Sequence, residues 1–541
     1  MRFGILSALL SYIKKTIRAY SLYDLALMLL FAFSATFFIR RTYDLMMRRY
    51  WIIAVLIFIA LIFLRVADRQ RMPKKSKLLL FTSVPVLLVI IHTWFIDIFG
   101  SFDIGAILFH LGMDVESGSV ADIIVETLGY VAVATMLLVS FHYIARRDVR
   151  LYYADRLLAL PLFLLTPVTA EFGSYYLHKN DGDKLLPYYQ AVPADLKLHA
   201  DQARKNIIMI YAESAEETFG KLSDGDDIFK DMKDIAGSGL YFNNIAQAAN
   251  TGWTIAGIVS SQCGVPLQPN GLFARNKFET QTNFMPSAIC LGDVLGNNGY
   301  NIAFLSGAST KFAGTDIFLK NHGYNIIDGG ENYADQFTDY KNFWGLYDDT
   351  VFDLAEKQII SLEEQGKPYF FAMKTLAGHF PTGFPTRRCI NNIGPVEGES
   401  IRYSIKCTGY EIKSFLSKLQ AGGQLENTLV VVMSDHLSMK SSAWSELNQH
   451  ERRNYFTIIG TDRGQEIITK QAAMFDAYPT ILELLGFTLN NHQAGIGISM
   501  LSDRKGLIEE LGPVKLDQLI SHDRDLAQFL WAAPAVTLTS H

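Results

Sequence analysis

Long apolar runs crowd into the first third of the chain and constrain its fold more than any other feature. Five such runs lie before residue 172, and only the first contains a charged residue, Asp24. A bilayer crossing needs roughly 20 mostly apolar residues, and fewer where flanking side chains reach the interface. These runs are apolar all round, unlike the one-sided helices on the surface of a soluble domain. The sequence therefore predicts five transmembrane helices, at residues 22–39, 51–64, 78–96, 129–145 and 157–169.

Basic residues in the short loops predict the orientation of these helices. Lys and Arg collect on the cytoplasmic side of a membrane protein. With five spans, the basic clusters at residues 14–18, 69–77 and 146–156 share one side, and only the loop at 40–49 opposes them. Three basic clusters against one predict that everything after residue 172 lies outside the cytoplasm. We therefore expect a multi-pass protein of the inner (cytoplasmic) membrane with a periplasmic domain.

The composition excludes two broad classes of protein. Of the 541 residues, 49% are hydrophobic and 19% are charged, and the formal net charge is -5. Disordered chains combine low hydrophobicity with high net charge, so disorder is excluded. Nucleic-acid binding needs a concentrated basic surface, and the second half has no basic block with interleaved aromatic residues. We expect no nucleic-acid partner.

All four cysteines lie in the second half of the chain. They are Cys263, Cys290, Cys389 and Cys407. An even number of cysteines in an exported domain predicts two disulfides, although four cysteines permit three pairings. We expect each cysteine to pair with its neighbour in sequence, 263 with 290 and 389 with 407. A zinc cluster is disfavoured because there is no CxxC pair.

The second half alternates short apolar runs with amphipathic helical patterns. The runs lie at residues 207–211, 302–305, 369–373 and 429–433, and the helical patterns include 410–419 and 477–485. This alternation is typical of an α/β domain whose mostly parallel sheet is covered by helices on both faces. The predicted boundaries are 1–171 for the α-helical membrane domain, 172–205 for a linker, 206–510 for the extracytoplasmic α/β domain and 511–541 for a C-terminal tail.

Polar residues follow three of these predicted strands. Glu213 comes just after the first run, His379 lies beyond the third, and Asp435 and His436 come directly after the fourth. Ligands of parallel sheets bind beyond the carboxyl ends of the strands. Carboxylates with imidazole suit a divalent-metal site. Each residue taken singly also fits a solvated loop or a helix cap.

Thr251 is the candidate nucleophile. It comes just before a predicted helix, in the segment Asn250-Thr251-Gly252. A hydroxyl at a helix N-terminus lies where a phosphate would bind, and a bound metal lowers the pKa of such a hydroxyl. The alternative interpretation is that Thr251 is simply an N-cap.

Several short motifs occur together in one order after the apolar runs. They are Tyr211-Ala212-Glu213-Ser214, Asn250-Thr251-Gly252, Ser261-Gln262-Cys263-Gly264-Val265-Pro266, Gly378-His379-Phe380-Pro381 and Ser434-Asp435-His436. In this combination the chain resembles the membrane-anchored branch of the alkaline phosphatase superfamily. That branch includes lipoteichoic acid synthases, lipid A phosphoethanolamine transferases and phosphoglycerol transferases. The resemblance is greatest to the phosphoglycerol transferases of osmoregulated periplasmic glucans. It covers residues 200–500 and includes further matches at the segments 254–257, 289–293, 318–323 and 344–349.

The resemblance implies a role for each matching residue. Glu213, Thr251, Asp435 and His436 match the ligands of one divalent metal ion (Mn, Zn or Mg), and Thr251 also matches the nucleophile. His379 matches a histidine that contacts the phosphoryl group or the leaving oxygen.

One difference from the family concerns the substrate pocket. The lipoteichoic acid synthases have a Trp and an Arg where this chain has Ala313 and Thr315. That difference argues against a chain-polymerising synthase and leaves the headgroup-binding residues open.

The resemblance further implies an enzyme, a metal-dependent phosphotransferase. The expected reaction moves glycerol phosphate from phosphatidylglycerol to a periplasmic glucan or cell-surface glycan through a phospho-threonine, and it releases diacylglycerol. The lipid bilayer is then a partner, since it holds the donor. The chain ends at residue 541, before the long C-terminal region of the glucan-modifying enzymes, so the acceptor is left open.

Three other functions are alternatives to glycerol phosphate transfer. A phosphoethanolamine transferase acting on lipid A would share the metal and the nucleophile but would bind a cationic amine. A membrane sensor or transporter with a binding domain should carry charges along an intramembrane path, and only Asp24 offers one. The sulfatase reaction is disfavoured, because Thr251 cannot form a formylglycine.

Overall fold

The protein is described by a computed structural model. The described residues are 22–42, 54–57, 79–99, 120–145, scattered positions within 160–173, then 184–193, 195–198, 203–268, 278–395 and 401–532. The chain divides into two compact units. The first comprises Met1–Phe102 and Val120–Leu177, and the second comprises Asp103–Ser119 and His178–His541.

Three helices make up most of the described part of the first unit. They are α1 (Leu22–Thr42), α2 (Leu79–Phe99) and α3 (Val120–Ala145). They overlap the first, third and fourth predicted spans. Over the described residues, no helix combines the length and the apolar character that a bilayer crossing requires. The second and fifth predicted spans lie mostly outside those residues, so the five-span arrangement stays a prediction.

The strands of the second unit are short, and most of them join one sheet. In the described part of the chain they are β1 (Asn206–Ala212), β2 (Leu240–Phe242), β3 (Ile245–Ala246), β4 (Asn301–Ser306), β5 (Ile326–Asp328), β6 (Lys341–Asn342), β7 (Gly345–Leu346), β8 (Tyr369–Lys374), β9 (Thr428–Ser434), β10 (Phe456–Ile459), β11 (Glu466–Ile468), β12 (Ala472–Ala473), β13 (Gln493–Ala494) and β14 (Gly497–Ile498).

Helices alternate with these strands along the chain. They are α4 (Gly225–Ile228), α5 (Lys230–Ala236), α6 (Thr254–Cys263), α7 (Leu291–Gly296), α8 (Thr315–Asn321), α9 (Asp348–Glu364), α10 (Arg387–Ile393), α11 (Ile401–Ala421), α12 (Trp444–Leu447), α13 (Ala477–Leu484), α14 (Leu507–Leu511), α15 (Pro513–His522) and α16 (Asp525–Trp531).

Within the described residues, eight strands form a single sheet in the order β11-β2-β10-β9-β1-β8-β4-β5. β9, β1, β8, β4 and β5 run parallel to one another, whereas β10 runs antiparallel to both of its neighbours. The predicted α/β fold with a mostly parallel sheet is therefore confirmed. β1 lies at the centre, so its carboxyl end faces loops from both sides.

The sheet has a hydrophobic core on each face. Along β1, Ile207 and Met209 belong to the core on one face, and Ile208 and Ile210 belong to the core on the other. Helices α6 and α13 contribute buried side chains to the first core, and α9 and α11 contribute to the second. Burial on both faces explains why β1, β8 and β9 are uninterrupted apolar runs rather than alternating ones.

Helices near the C-terminus belong to the same core. Leu516 of α15 and Leu530 of α16 are buried among the side chains that cover the first face of the sheet. The Asp517 carboxylate of α15 accepts a hydrogen bond from the backbone N–H of Ala249 at 2.7 Å. Residues 513–531, which the sequence assigns to a tail, therefore support the segment that leads to Thr251. The predicted domain boundaries themselves stay predictions.

Both expected disulfides are present with the expected pairing. Cys263 is bonded to Cys290, and Cys389 is bonded to Cys407. The first bond ties the end of α6 to the residue before α7, and the second joins α10 to α11.

Candidate active site

The predicted site residues gather at the carboxyl ends of the central strands. β1 pairs with β9 so that Ala212 lies opposite Ser434, which places the next residues, Glu213 and Asp435, side by side. β8 flanks β1 on its other side and ends at Lys374, opposite Tyr211. The loop that carries His379 begins directly after Lys374. The parallel register thus brings three separate segments to one edge of the sheet.

Glu213, Asp435 and His436 form a buried cluster. Each is about 1% exposed, and their ligand atoms all lie within 4.8 Å of one another. His436 Nε2 lies 3.4 Å from Glu213 Oε1 and 3.5 Å from Asp435 Oδ2. The imidazole is oriented by its other nitrogen, since Nδ1–H donates to the Leu437 carbonyl at 2.8 Å. Nε2 therefore faces the two carboxylates.

Backbone and hydroxyl donors hold one oxygen of each carboxylate in this cluster. Asp435 Oδ1 accepts from the N–H groups of Ser214 and His436, and Glu213 Oε1 accepts from the Ser214 hydroxyl. The other oxygens, Asp435 Oδ2 and Glu213 Oε2, are buried without a hydrogen-bond partner. Leaving such an atom unsatisfied is costly, so an additional partner is expected here.

The charges in the cluster shift its pKa values strongly. Burial tends to raise the pKa of Glu213, but the hydrogen bond and the charge of His436 outweigh it and hold that pKa well below its usual range. Burial and the charge of Glu213 raise the pKa of Asp435 to about 6. Burial tends to lower the pKa of His436, but the two carboxylates outweigh it and raise that pKa to about 9. The two carboxylates therefore stabilise a positive charge between them.

The residues present fit a divalent cation. Two carboxylate oxygens lack hydrogen-bond partners, and one imidazole nitrogen faces them. No Lys or Arg of the described residues comes within ion-pair distance of Glu213 or Asp435. Oxygen and imidazole donors suit Mn, Zn and Mg in differing degrees. The resemblance adds Thr251 as a fourth ligand.

Thr251 is buried, and residues on both sides of it contact the segment that carries Asp435 and His436. The segment that contains it is held on both sides: the Gln247 side chain accepts a hydrogen bond from Leu437 N–H, and α6 packs against Asp435 through Gly257. A Cβ atom at Gly257 would lie 1.8 Å from the carbonyl oxygen of Asp435. Only a residue without a side chain allows the first turns of α6 to come this close.

The hydroxyl of Thr251 does not cap the helix. The N-cap of α6 is Trp253, and Thr251 Oγ instead donates to the Ala248 carbonyl at 2.7 Å. The capping interpretation of Thr251 is therefore wrong. Asn250, the preceding residue, adopts a φ of 58°, a left-handed conformation that costs energy for most residues and often marks a functional segment.

His379 is half-buried and lies within electrostatic range of Glu213. Its Nδ1–H donates to the Phe380 carbonyl at 2.8 Å, so Nε2 is the nitrogen that can accept a proton. Burial lowers its pKa, although Glu213 partly offsets this effect. The ring contacts Trp344, with 4.5 Å between ring centroids. A neutral imidazole with Nε2 unprotonated can serve as a general base.

Ala313 and Thr315 lie apart from these contacts. Ala313 is buried with a φ of 60°, and Thr315 donates its hydroxyl to the Phe312 carbonyl at 2.9 Å. Neither can replace the stacking and the positive charge of a Trp and an Arg.

Lys374 and Asp348 contact or influence the candidate site, and the sequence predicts no role for either. Lys374 ends β8, and its charge lowers the pKa of Glu213, Asp435 and His379, so its ammonium lies within electrostatic range of all three. Asp348, at the start of α9, is buried and accepts the N–H groups of Leu376 and Ala377 at 2.7 and 2.8 Å. Its carboxylate thus anchors the loop that carries His379. The segment 344–349 is part of the family resemblance, which was the available signal for Asp348.

Replacing Asp348 with asparagine tests this positioning role. The amide would turn an N–H₂ group toward one of the two backbone donors, so the loop should shift. A displacement of about 1 Å can cost 10²-fold in rate, and we expect kcat to fall 10- to 100-fold with KM and bound metal little changed. Asp349→Asn is the matched control, because Asp349 accepts from Tyr340 and Thr350 rather than from the loop of His379. Steady-state kinetics and metal analysis would measure both. Equal effects of the two substitutions would contradict the positioning role.

This site can be compared with those of known proteins. Residues 205–487 match the sulfatase family. The chain therefore belongs to this family, within the alkaline phosphatase superfamily, whose members generally use a divalent metal ion.

Among the similar curated proteins is a phosphoglycerol transferase I from Escherichia fergusonii, 32% identical over 409 residues, which are 73% of this chain and 53% of that protein. Another is a phosphoglycerol transferase I from Citrobacter koseri, 33% identical over 361 residues, 66% of this chain and 46% of that protein. The chain spans about half the length of these relatives. A crystal structure of an alkaline phosphatase superfamily protein from Vibrio parahaemolyticus aligns with a TM-score of 0.47 at 20% identity, over 62% of this chain and 78% of that one. The sequence matches to the sulfatase family and to the phosphoglycerol transferases I confirm the family resemblance seen in the motifs.

Proposed function

We propose that this chain is a membrane-anchored phosphoglycerol transferase with Thr251 as its nucleophile. The observation that carries the proposal is the buried cluster of Glu213, Asp435 and His436 with its two unbonded carboxylate oxygens. The backbone of Asp435 contacts α6, the helix that follows Thr251. The names of the similar curated proteins support glycerol phosphate as the transferred group.

In the first step, Thr251 Oγ attacks the phosphorus of phosphatidylglycerol. The bond between phosphorus and the diacylglycerol oxygen breaks, and a glycerophospho-threonine forms. The proton of the Thr251 hydroxyl ends on the released diacylglycerol, and His379 carries it at Nε2. The ammonium of Lys374 stabilises the negative charge of the phosphoryl oxygens.

In the second step, a hydroxyl of the acceptor attacks the same phosphorus and displaces Thr251. His379 accepts the proton of the attacking hydroxyl, and the Thr251 oxygen regains a proton. The acceptor is a periplasmic glucan or a cell-surface glycan. Two in-line displacements retain the configuration at phosphorus, whereas direct transfer to the acceptor would invert it.

Glu213, Asp435 and His436 hold the divalent ion in this proposal, with Thr251 as the remaining ligand. When bound, the ion lowers the pKa of the threonine hydroxyl and stabilises charge on the phosphoryl oxygens. The geometry of the cluster supports this assignment, since the imidazole Nε2 of His436 already faces both carboxylates.

The membrane arrangement belongs to the same proposal. Five helices within residues 1–171 would anchor the chain in the inner membrane, and the linker at 172–205 would lead to a periplasmic catalytic domain. Anchoring the site beside the bilayer replaces a search through solution by a local encounter, because the donor is itself a lipid.

The mass of the covalent adduct tests the proposed function. The full-length protein is incubated with phosphatidylglycerol or phosphatidylethanolamine, and the peptide that contains Thr251 is weighed. We expect an adduct of glycerol phosphate from the first lipid and none from the second. An ethanolamine phosphate adduct would instead identify a phosphoethanolamine transferase. Absence of any adduct with either lipid would contradict the threonine mechanism.

A further inference from the structure

An aromatic hairpin lies against His379. The short strands β6 and β7 pair through Lys341 with Leu346 and Asn342 with Gly345, and their turn presents Phe343 and Trp344. Phe343 is 59% exposed. Trp344 contacts both His379 and Phe312, with 4.5 and 5.5 Å between ring centroids. We name Phe312, Phe343 and Trp344 the aromatic rim.

The turn that presents Phe343 is held rigidly. Asn342 Oδ1 accepts the N–H groups of Trp344 and Gly345 at 2.8 and 3.1 Å. Gly345 packs so closely on the loop after β4 that a Cβ atom would lie 2.0 Å from the Gly307 carbonyl oxygen. Leu346 N–H donates to the same carbonyl at 3.0 Å. The preformed turn therefore keeps Phe343 exposed to solvent, and exposure of its apolar surface to water is unfavourable.

We propose that the aromatic rim inserts into the membrane interface and brings the active site onto the bilayer that holds the lipid donor. This inference rests on the proposed function, because only a donor embedded in a bilayer requires the site to approach its surface. The phosphodiester of a phospholipid lies in an interfacial layer that is roughly 6 Å thick on each side of the hydrocarbon. Aromatic side chains are favoured at this depth.

The shape of the rim favours a lipid surface over a sugar. Phe312 and Phe343 both meet Trp344 edge to face, with interplanar angles of 78° and 89°. The three rings therefore share no plane on which the successive sugar rings of a glycan could stack. Phe343 also has no polar group that could hydrogen-bond to a glycan. The exposed Lys311 and Lys341 flank the rim in sequence and would favour an anionic lipid surface.

Site-directed labelling of the full-length protein tests the insertion directly. The chain has four cysteines, and all of them form disulfides, so an introduced cysteine is the only free thiol. Phe343→Cys and Ile467→Cys are each labelled with an environment-sensitive fluorophore and reconstituted into phosphatidylglycerol–phosphatidylcholine vesicles with nitroxide-bearing acyl chains. Ile467 is the matched control, 65% exposed on the edge strand β11. We expect the label at 343 to be quenched and the label at 467 to be unaffected. Equal quenching at the two positions, or none at 343, would overturn the proposal.

A kinetic comparison gives an independent test. Phe343→Ser should lower the ratio of phosphatidylglycerol cleavage in vesicles to hydrolysis of the soluble diester bis-p-nitrophenyl phosphate about tenfold, as expected from the loss of one buried phenyl group. Ile467→Ser should leave the ratio unchanged. A change confined to the KM of a glycan acceptor would assign the rim to the acceptor and contradict our proposal. If the label at 343 were quenched but the unsubstituted protein formed no threonine adduct, membrane insertion of the rim would be supported and the proposed function refuted.

Discussion

Thr251→Ala should abolish lipid cleavage and adduct formation together. The substitution removes the proposed attacking oxygen and one proposed metal ligand. Loss of a nucleophile typically lowers kcat by 10⁴-fold or more. The measurement is release of diacylglycerol from phosphatidylglycerol vesicles, combined with the mass of the peptide that contains residue 251. Within the described part of the chain the hydroxyl donates one hydrogen bond, to the Ala248 carbonyl, so the fold should survive its loss.

Thr254→Ala is the matched control for this experiment. Thr254 is the first residue of α6, three residues after Thr251, and it is half-buried. Its substitution should leave the adduct intact and lower activity only modestly. If Thr254→Ala abolished the adduct while Thr251→Ala retained it, the nucleophile would be misassigned although the reaction class would survive.

Asp435→Asn and Glu213→Gln should lose the metal, and activity as a consequence. Each amide keeps an oxygen that can accept the hydrogen bonds described for Asp435 Oδ1 and Glu213 Oε1, so the local structure is preserved. Each also removes one negative charge and one proposed ligand oxygen. Substitutions in the shell around a metal ligand already cost 10- to 100-fold in affinity, and loss of a ligand should cost more. Metal content after dialysis measures this, together with the rise in melting temperature when Mn, Zn or Mg is added.

His379→Ala separates catalysis from metal binding. His379 is not a proposed ligand, so the variant should retain its metal while turnover falls about 100-fold, as is typical for a lost acid or base. The alanine variants Asp435→Ala and Glu213→Ala should lose metal as the amides do. Full metal content in Asp435→Asn and Glu213→Gln would remove the basis for the metal site.

The central strands could be predicted from sequence because burial on both faces leaves little ambiguity. β1, β4, β8 and β9 extend each predicted run by only one or two residues. The outer strands β2, β5, β10 and β11 are three or four residues long and give no comparable run. Their pairing, including the antiparallel β10, depends on contacts between distant segments that local sequence does not encode.

The same distinction applies to the site. Glu213, Asp435 and His436 follow their strands directly, so a prediction of the sheet also predicts their proximity. Asp348 acts through the N–H groups of Leu376 and Ala377, which lie 28 and 29 residues further along the chain. Backbone partners leave no side-chain pattern, so only the family resemblance at residues 344–349 points to Asp348. The ring contact between Trp344 and His379 joins distant segments, and local sequence does not encode it.

Gly257 has a consequence for how substitutions in this protein would be interpreted. In the interior of an exposed helix, replacing glycine with alanine usually stabilises the helix by about 1 kcal/mol. Here the Asp435 carbonyl occupies the space that a methyl group would need. The usual preference is therefore reversed, and even alanine would push α6 away from the strand end. A substitution at Gly257, six residues from Thr251 and without a functional group of its own, should thus disturb the candidate active site, because the close approach of α6 to Asp435 requires a residue with no side chain.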